Sequence, residues 1–143
     1  MGHKNRVREN RIVVYSRHIQ KPEDWLHFVH FPYFTRRWRD AGFDDDDLRA
    51  LEILIMAAPT KAPVVPGTGG LRKIRFARSD TNRGSSAGAR IGYAYFPEFD
   101  AVGTFAVYTK SQQDNLTNEE KKIVRDGIQR FKLWLENTQG MRK

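Results

Sequence analysis

The sequence predicts a small α+β domain, and three observations carry that expectation. Two alternating runs, Leu71 to Arg78 and Ala89 to Phe96, flank a polar loop and read as a β-hairpin. Leu48, Leu51, Leu54, Ile55 and Ala58 recur at helical spacing, as do Val124, Ile128, Phe131 and Leu135. A third alternating run, Ala101 to Thr109, follows the hairpin after only Pro97-Glu98-Phe99-Asp100, so it should lie antiparallel beside it. The expected architecture is a mostly antiparallel twisted sheet of three or four strands, with two N-terminal helices and a C-terminal helix packed against it.

Residues 1–24 form a basic extension with Arg6, Arg8, Arg11, Arg17 and Lys21, plus a short β-like patch at Ile12-Val13-Val14-Tyr15. They read as a flexible basic arm; an extra edge strand, or a consequence of where the chain starts, are the alternatives. The domain proper is expected over 25–138, with 139–143 fraying. Trp25 to Phe31 alternates as a strand until Pro32 stops it. A short helix follows, with Phe34 and Trp38 at i,i+4 and Gly42 at its C-terminal cap.

The next helix has Asp44 as N-cap and Asp45, Asp46 and Asp47 in its first turn, where the helix dipole favours negative charge. Pro59 ends it. Four consecutive aspartates also suggest a metal site, but they lack the glycine and the spaced ligands of a calcium loop, so capping explains them. Lys61 to Gly70 is a Pro/Gly-rich connection. Leu71 and Arg72 follow Gly70, so it is not a phosphate-binding loop. The last helix opens on Thr117-Asn118-Glu119-Glu120, a capping-box pattern; Ile123 and Trp134 widen its stripe, and Gly127 weakens it by roughly 1 kcal/mol relative to alanine.

A length of 143 residues fits one domain, and the absence of cysteine excludes disulfides and thiolate chemistry. No apolar run approaches the roughly 20 residues that span a bilayer, and the basic start has no apolar segment behind it to make a secretory signal. A reducing, cytoplasmic setting fits. All four histidines, His3, His18, His27 and His30, precede residue 31, and there is no GxSxG elbow, so nucleophilic triads find no support. His27 and His30 read as surface or packing residues. A formal charge of +8 points to an acidic protein, a nucleic acid or an anionic surface.

Strand parity locates that charge. Ile74 and Phe76 share one face, Lys73 and Arg75 the other. In the next strand Ile91, Tyr93 and Tyr95 share a face, opposite Arg90, Gly92 and Ala94. The small residues beside Arg90 leave room for a ligand, or for close packing of another element. In the third strand Val102, Thr104, Ala106 and Tyr108 fall on one parity, with Lys110 closing it. A solvated basic face is one explanation. The other is a nucleic-acid surface, on which arginine and lysine bind phosphate and tyrosine stacks on a base.

The segments GTGGLRKIRFA, the Gly/Ser-rich basic loop, GARIGYAYF and FAVYTKSQQDNLT, preceded by FTRRWRDAGFDDDDLRALE, resemble the RelE/ParE superfamily of toxin–antitoxin toxins, closest to its HigB branch. The resemblance covers about Trp25 to Leu135. It implies a RelE-like fold with helices on one side of the sheet. It also implies a bacterial, ribosome-dependent mRNA endoribonuclease (an mRNA interferase) that arrests growth and needs no metal or cofactor. The ribosome, mRNA and a cognate HigA-like antitoxin with a helix-turn-helix would be its partners, and no membrane.

Family positions carry over to Lys73 and Arg75 for phosphate binding and proton management, Arg90 for the scissile phosphate and Lys110 for the leaving group. Arg72, Arg78, Arg83 and Tyr108 would contact RNA. This chain departs from the family at Ser111 and Gln112, where many HigB-like chains read Asn-Glu, and it has no tyrosine after Tyr108. The competing classes are a ParE-like DNA gyrase inhibitor on the same fold, and a non-catalytic basic RNA-binding domain or decayed toxin.

Overall fold

The computed structural model describes the backbone of residues 11–14 and 139–142, and residues 26–78, 88–109, 113 and 115–138 in full. The strands are β1 (Arg11–Val14), β2 (His27–His30), β3 (Arg72–Phe76), β4 (Ala89–Phe96) and β5 (Ala101–Thr109). The helices are α1 (Pro32–Asp40), α2 (Asp45–Ala57) and α3 (Asn118–Arg142). The class is α+β with a mixed sheet, in the order β1-β2-β5-β4-β3. β2 and β5 run parallel; the other neighbours are antiparallel. The hairpin β3–β4 and the antiparallel β4–β5 pair follow the sequence expectation. Arg11–Val14 forms an added edge strand on β2 rather than part of an arm.

Local signals set the helix ends. Pro32 stands at the first turn of α1, and Gly42, at φ 92°, follows its end. Asp44 accepts from the Asp47 amide, and the Asp47 carboxylate accepts from the Asp44 amide, both at 2.9 Å. This reciprocal pair is a capping box, and it accounts for the aspartate run. Thr117 and Glu120 repeat the device at α3: the Thr117 amide donates to Glu120 Oε1 at 2.8 Å, and the Glu120 amide to Thr117 Oγ1 at 3.1 Å. The helical backbone of α3 continues to Arg142, through the segment expected to fray.

The helices lie on both faces of the sheet, not on one side. The larger core joins Phe34, Trp38, Leu51 and Ile55 of α1 and α2 to Phe28, Ile91, Tyr93, Val102 and Val107. Ile128, Phe131 and Leu135 of α3 pack on residues of the other parity, among them Val29, Ala94 and Ala101. Both parities of the central strands are apolar or small, so each face needs a cover. Leu54 lies outside the buried stripe of α2, and Ile123 and Trp134 are exposed on α3.

A buried polar link ties the α1/α2 face together. His30 sits between the rings of Phe28 and Phe34. Its Nε2 is 2.6 Å from Glu52 Oε2 of α2 and its Nδ1 2.8 Å from Thr104 Oγ1 of β5. His30 is thus a packing residue with both ring nitrogens satisfied.

Candidate nucleic-acid interface

The site is built on the α3 face, at the end that α3 leaves open. Arg75 of β3 stands directly opposite Arg90 of β4, and Arg90 directly opposite Tyr108 of β5. A row Arg75–Arg90–Tyr108 therefore crosses three strands. Lys73 lies two residues along β3 on the same face, opposite Gly92. Arg75 is exposed; Lys73 and Arg90 are half-buried. Among the described residues neither arginine of the row, nor Lys73, forms an ion pair with a carboxylate, in contrast to Arg78, which pairs with Asp47. Directly opposed like charges on a sheet oppose folding. An anion bound between them removes that repulsion.

Tyr108 reaches this face through an irregularity. Gly92 pairs with Ala106 and Tyr93 with Thr104, leaving Phe105 as an extra residue in β5. A bulge of this kind re-aims the side chains beyond it. Val102 and Thr104 consequently face α1 and α2, while Ala106 and Tyr108 face α3, so the shared parity expected for these four residues does not hold. Tyr108 is 4 % exposed. Burial pushes its phenol above the ordinary value, the Arg90 charge opposes this, and the Glu120 carboxylate adds to it. Tyr108 thus keeps its proton at neutral pH, which leaves its phenol O–H able to donate.

The segment before α3 borders the row. Lys73 Nζ is 3.4 Å from Asn115 Oδ1, and Gln113 Nε2 donates to Asn115 O at 2.8 Å and Glu120 Oε1 at 3.0 Å. The sequence held no signal for Gln113 or Asn115 beyond their closeness to the capping box. The small residues next to Arg90 serve packing rather than ligand access. A Cβ on Gly92 would lie 2.8 Å from the Leu71 side chain, and Ala94 packs with Leu71 and Ile128.

Two expected RNA contacts sit elsewhere. Arg72 has the parity of Ile74 and Phe76, and its Nη1 donates to Thr60 O at 2.9 Å and Ala62 O at 2.7 Å, fastening the α2–β3 connection. Arg78 donates from Nε to Asp47 Oδ2 at 2.9 Å, also bonds Gly42 O, and lies over the Phe43 ring, which ties β3 to the start of α2. Lys110, Arg83 and Ser111 lie outside the described residues.

Among the described residues no three His, Cys, Asp or Glu side chains converge as a metal site, and no helix is long and apolar enough to cross a membrane. The fold and the row define a class: an α+β domain with a cationic, tyrosine-bearing sheet face. A scan against models of protein families returns no match to this chain.

Proposed function

We propose that this protein is the toxin of a bacterial type II toxin–antitoxin pair, a HigB-like, ribosome-dependent mRNA endoribonuclease acting in the cytoplasm. A HigA-like antitoxin with a helix-turn-helix would neutralise it. The observation that carries this reading is the Arg75–Arg90–Tyr108 row with Lys73 beside it, a set of donors with no carboxylate paired to its cations among the described residues.

The chemistry suited to such a row is cleavage of RNA through its own 2′-hydroxyl. The 2′-oxygen bonds to the adjacent phosphorus, the bond from phosphorus to the 5′-oxygen breaks, and a cyclic phosphate and a 5′-hydroxyl result. Charge accumulates on the non-bridging oxygens during attack, and Arg75 and Arg90 are positioned to offset it. Lys73 holds the phosphate in register. The neutral Tyr108 phenol donates to a phosphate oxygen or to the departing oxygen. Lys110, one residue beyond β5, is assigned to the same leaving group.

The test is induced expression of the wild type beside the Lys73→Ala/Arg75→Ala/Arg90→Ala variant, with mapping of new mRNA 5′ ends. Growth arrest with codon-phased cuts, lost in the soluble, folded variant, is the expected result. Arrest with intact messages overturns the nuclease reading in favour of a protein target such as DNA gyrase. No arrest by a soluble wild type leaves a binding domain.

A further inference from the structure

The α3 face continues past Tyr108 into a cleft of about 800 Å³ between β2, β5 and α3. That lies within the ~300–1,000 Å³ typical of sites that enclose small ligands. Its walls are aromatic. Phe31 stacks on Phe105 at 5.1 Å and meets the edge of Phe131 at 5.3 Å. Tyr33 and Trp134 also line it and are 55 % and 43 % exposed. Arg37 and Arg130 line it too, and the Arg37 guanidinium lies over the Tyr33 ring at 5.5 Å.

Two links join the cleft to the cationic row. Tyr108 lines the cleft and stands opposite Arg90. Gln113 also lines it, and bonds the backbone of Asn115, whose side chain receives Lys73 Nζ. Tyr108 thus belongs both to the cationic row and to the wall of the cleft.

Resting on the RNA reading above, we infer that this cleft is a nucleobase subsite. It takes one or two unpaired bases of the same RNA strand, stacked on Trp134 and Tyr33, with Arg37 and Arg130 on the flanking phosphates. Stacking platforms interleaved with arginine suit single-stranded nucleic acid, because every base offers a π-face and every linkage a charge. Arg37 and Arg130 outnumber the Glu120 carboxylate among the described residues of the lining, so the cleft carries a net positive charge, complementary to that ligand.

The test uses the full chain and two probes: an RNA trinucleotide, and the same backbone with its bases removed. The readout is the Trp134 indole N–H resonance, identified by its loss in Trp134→Phe. The trinucleotide should shift this resonance and the abasic backbone should not. Trp134→Ala, checked for fold by circular dichroism, should weaken trinucleotide binding on the order of tenfold and abasic binding not at all. Equal binding of both probes with Trp134 silent overturns the subsite and leaves the nuclease reading intact. Binding of neither probe also overturns it, and the cleavage assay then judges the nuclease reading alone. A Trp134 shift produced only by an acidic amphipathic peptide assigns the cleft to a protein partner and overturns the inference.

Discussion

Arg75 and Arg90 face each other across the β3–β4 ladder on one side of the sheet, and neither is ion-paired among the described residues. Such a pair costs stability, and on the nuclease reading it serves phosphate binding. Arg75→Ala should therefore leave thermal stability unchanged or raise it by about 0.5 kcal/mol, roughly 1–2 °C. The same change should abolish growth arrest. A calorimetric melt and a growth curve on one preparation decide it; a clear loss of stability would make Arg75 a structural residue.

Tyr108 is expected to act as a proton-bearing donor. Its ring is buried and its phenol is held above the ordinary value of 10.0, first by burial. The protonated form is the active one, so its contribution persists through neutral pH and disappears only as pH rises through the folded pKa. Tyr108→Phe keeps the ring, and should lower the single-turnover cleavage rate on the order of 10²–10³-fold with little change in stability. A rate within threefold of wild type would remove Tyr108 from the machinery.

Much of this was legible in the residues, and the exceptions have physical causes. Parity alone put Lys73 and Arg75 on one face, because a polar/apolar alternation has only one register against a core. The Thr117–Glu120 capping box and the Asp44 N-cap were readable because they rest on contacts between residues three apart, while the reciprocal Asp47 half of the Asp44 box was not foreseen. Arg72, expected to contact RNA, instead shares its face with Ile74 and Phe76 and fastens the α2–β3 connection. The Phe105 bulge was not readable: β5 is apolar or small at almost every position, so the alternation expected over Ala101 to Thr109 gives no sign of the extra residue. The division of helices between two faces was hidden for the same reason. The four-residue β1 carries too little pattern to distinguish an edge strand from an arm.

Phe105 gives a direct test of that hidden feature. Deleting it removes the extra residue and makes the ladder regular, with Ala106 still opposite Gly92 and Tyr108 still opposite Arg90 on the α3 face. The deletion also removes a ring packed on Phe31 and Phe131, so some loss of stability is expected. Phe105→Ala keeps the bulge and loses the ring. Cleavage should survive both Phe105→Ala and the deletion, scaled to their folded fractions, because each keeps Tyr108 paired with Arg90. Loss of cleavage in a folded deletion variant alone would show that the bulge itself, and not only the pairing with Arg90, aims Tyr108.

The His30–Glu52 link makes a prediction about pH. Burial pushes the Glu52 carboxyl above its ordinary value of 4.5, and the His30 contact opposes the shift without cancelling it. In the protonated form Glu52 donates to His30 Nε2, and His30 Nδ1–H donates to Thr104 Oγ1. The folded state thus holds this proton more tightly than the unfolded chain does. The resulting stabilisation is fully present below about 4.5 and is lost as pH rises through the folded pKa. Glu52→Gln preserves a neutral partner for His30 and should flatten this part of the stability–pH profile. Glu52→Leu leaves the buried Nε2 without a partner and should cost about 1–3 kcal/mol. Denaturant unfolding across a pH series measures both effects. If Glu52→Gln tracks the wild-type slope, the proton resides elsewhere in the core. If Glu52→Leu is as stable as wild type, the link contributes no stability, and fixing α2 against the sheet falls to the surrounding rings of Phe28, Phe34 and Trp38.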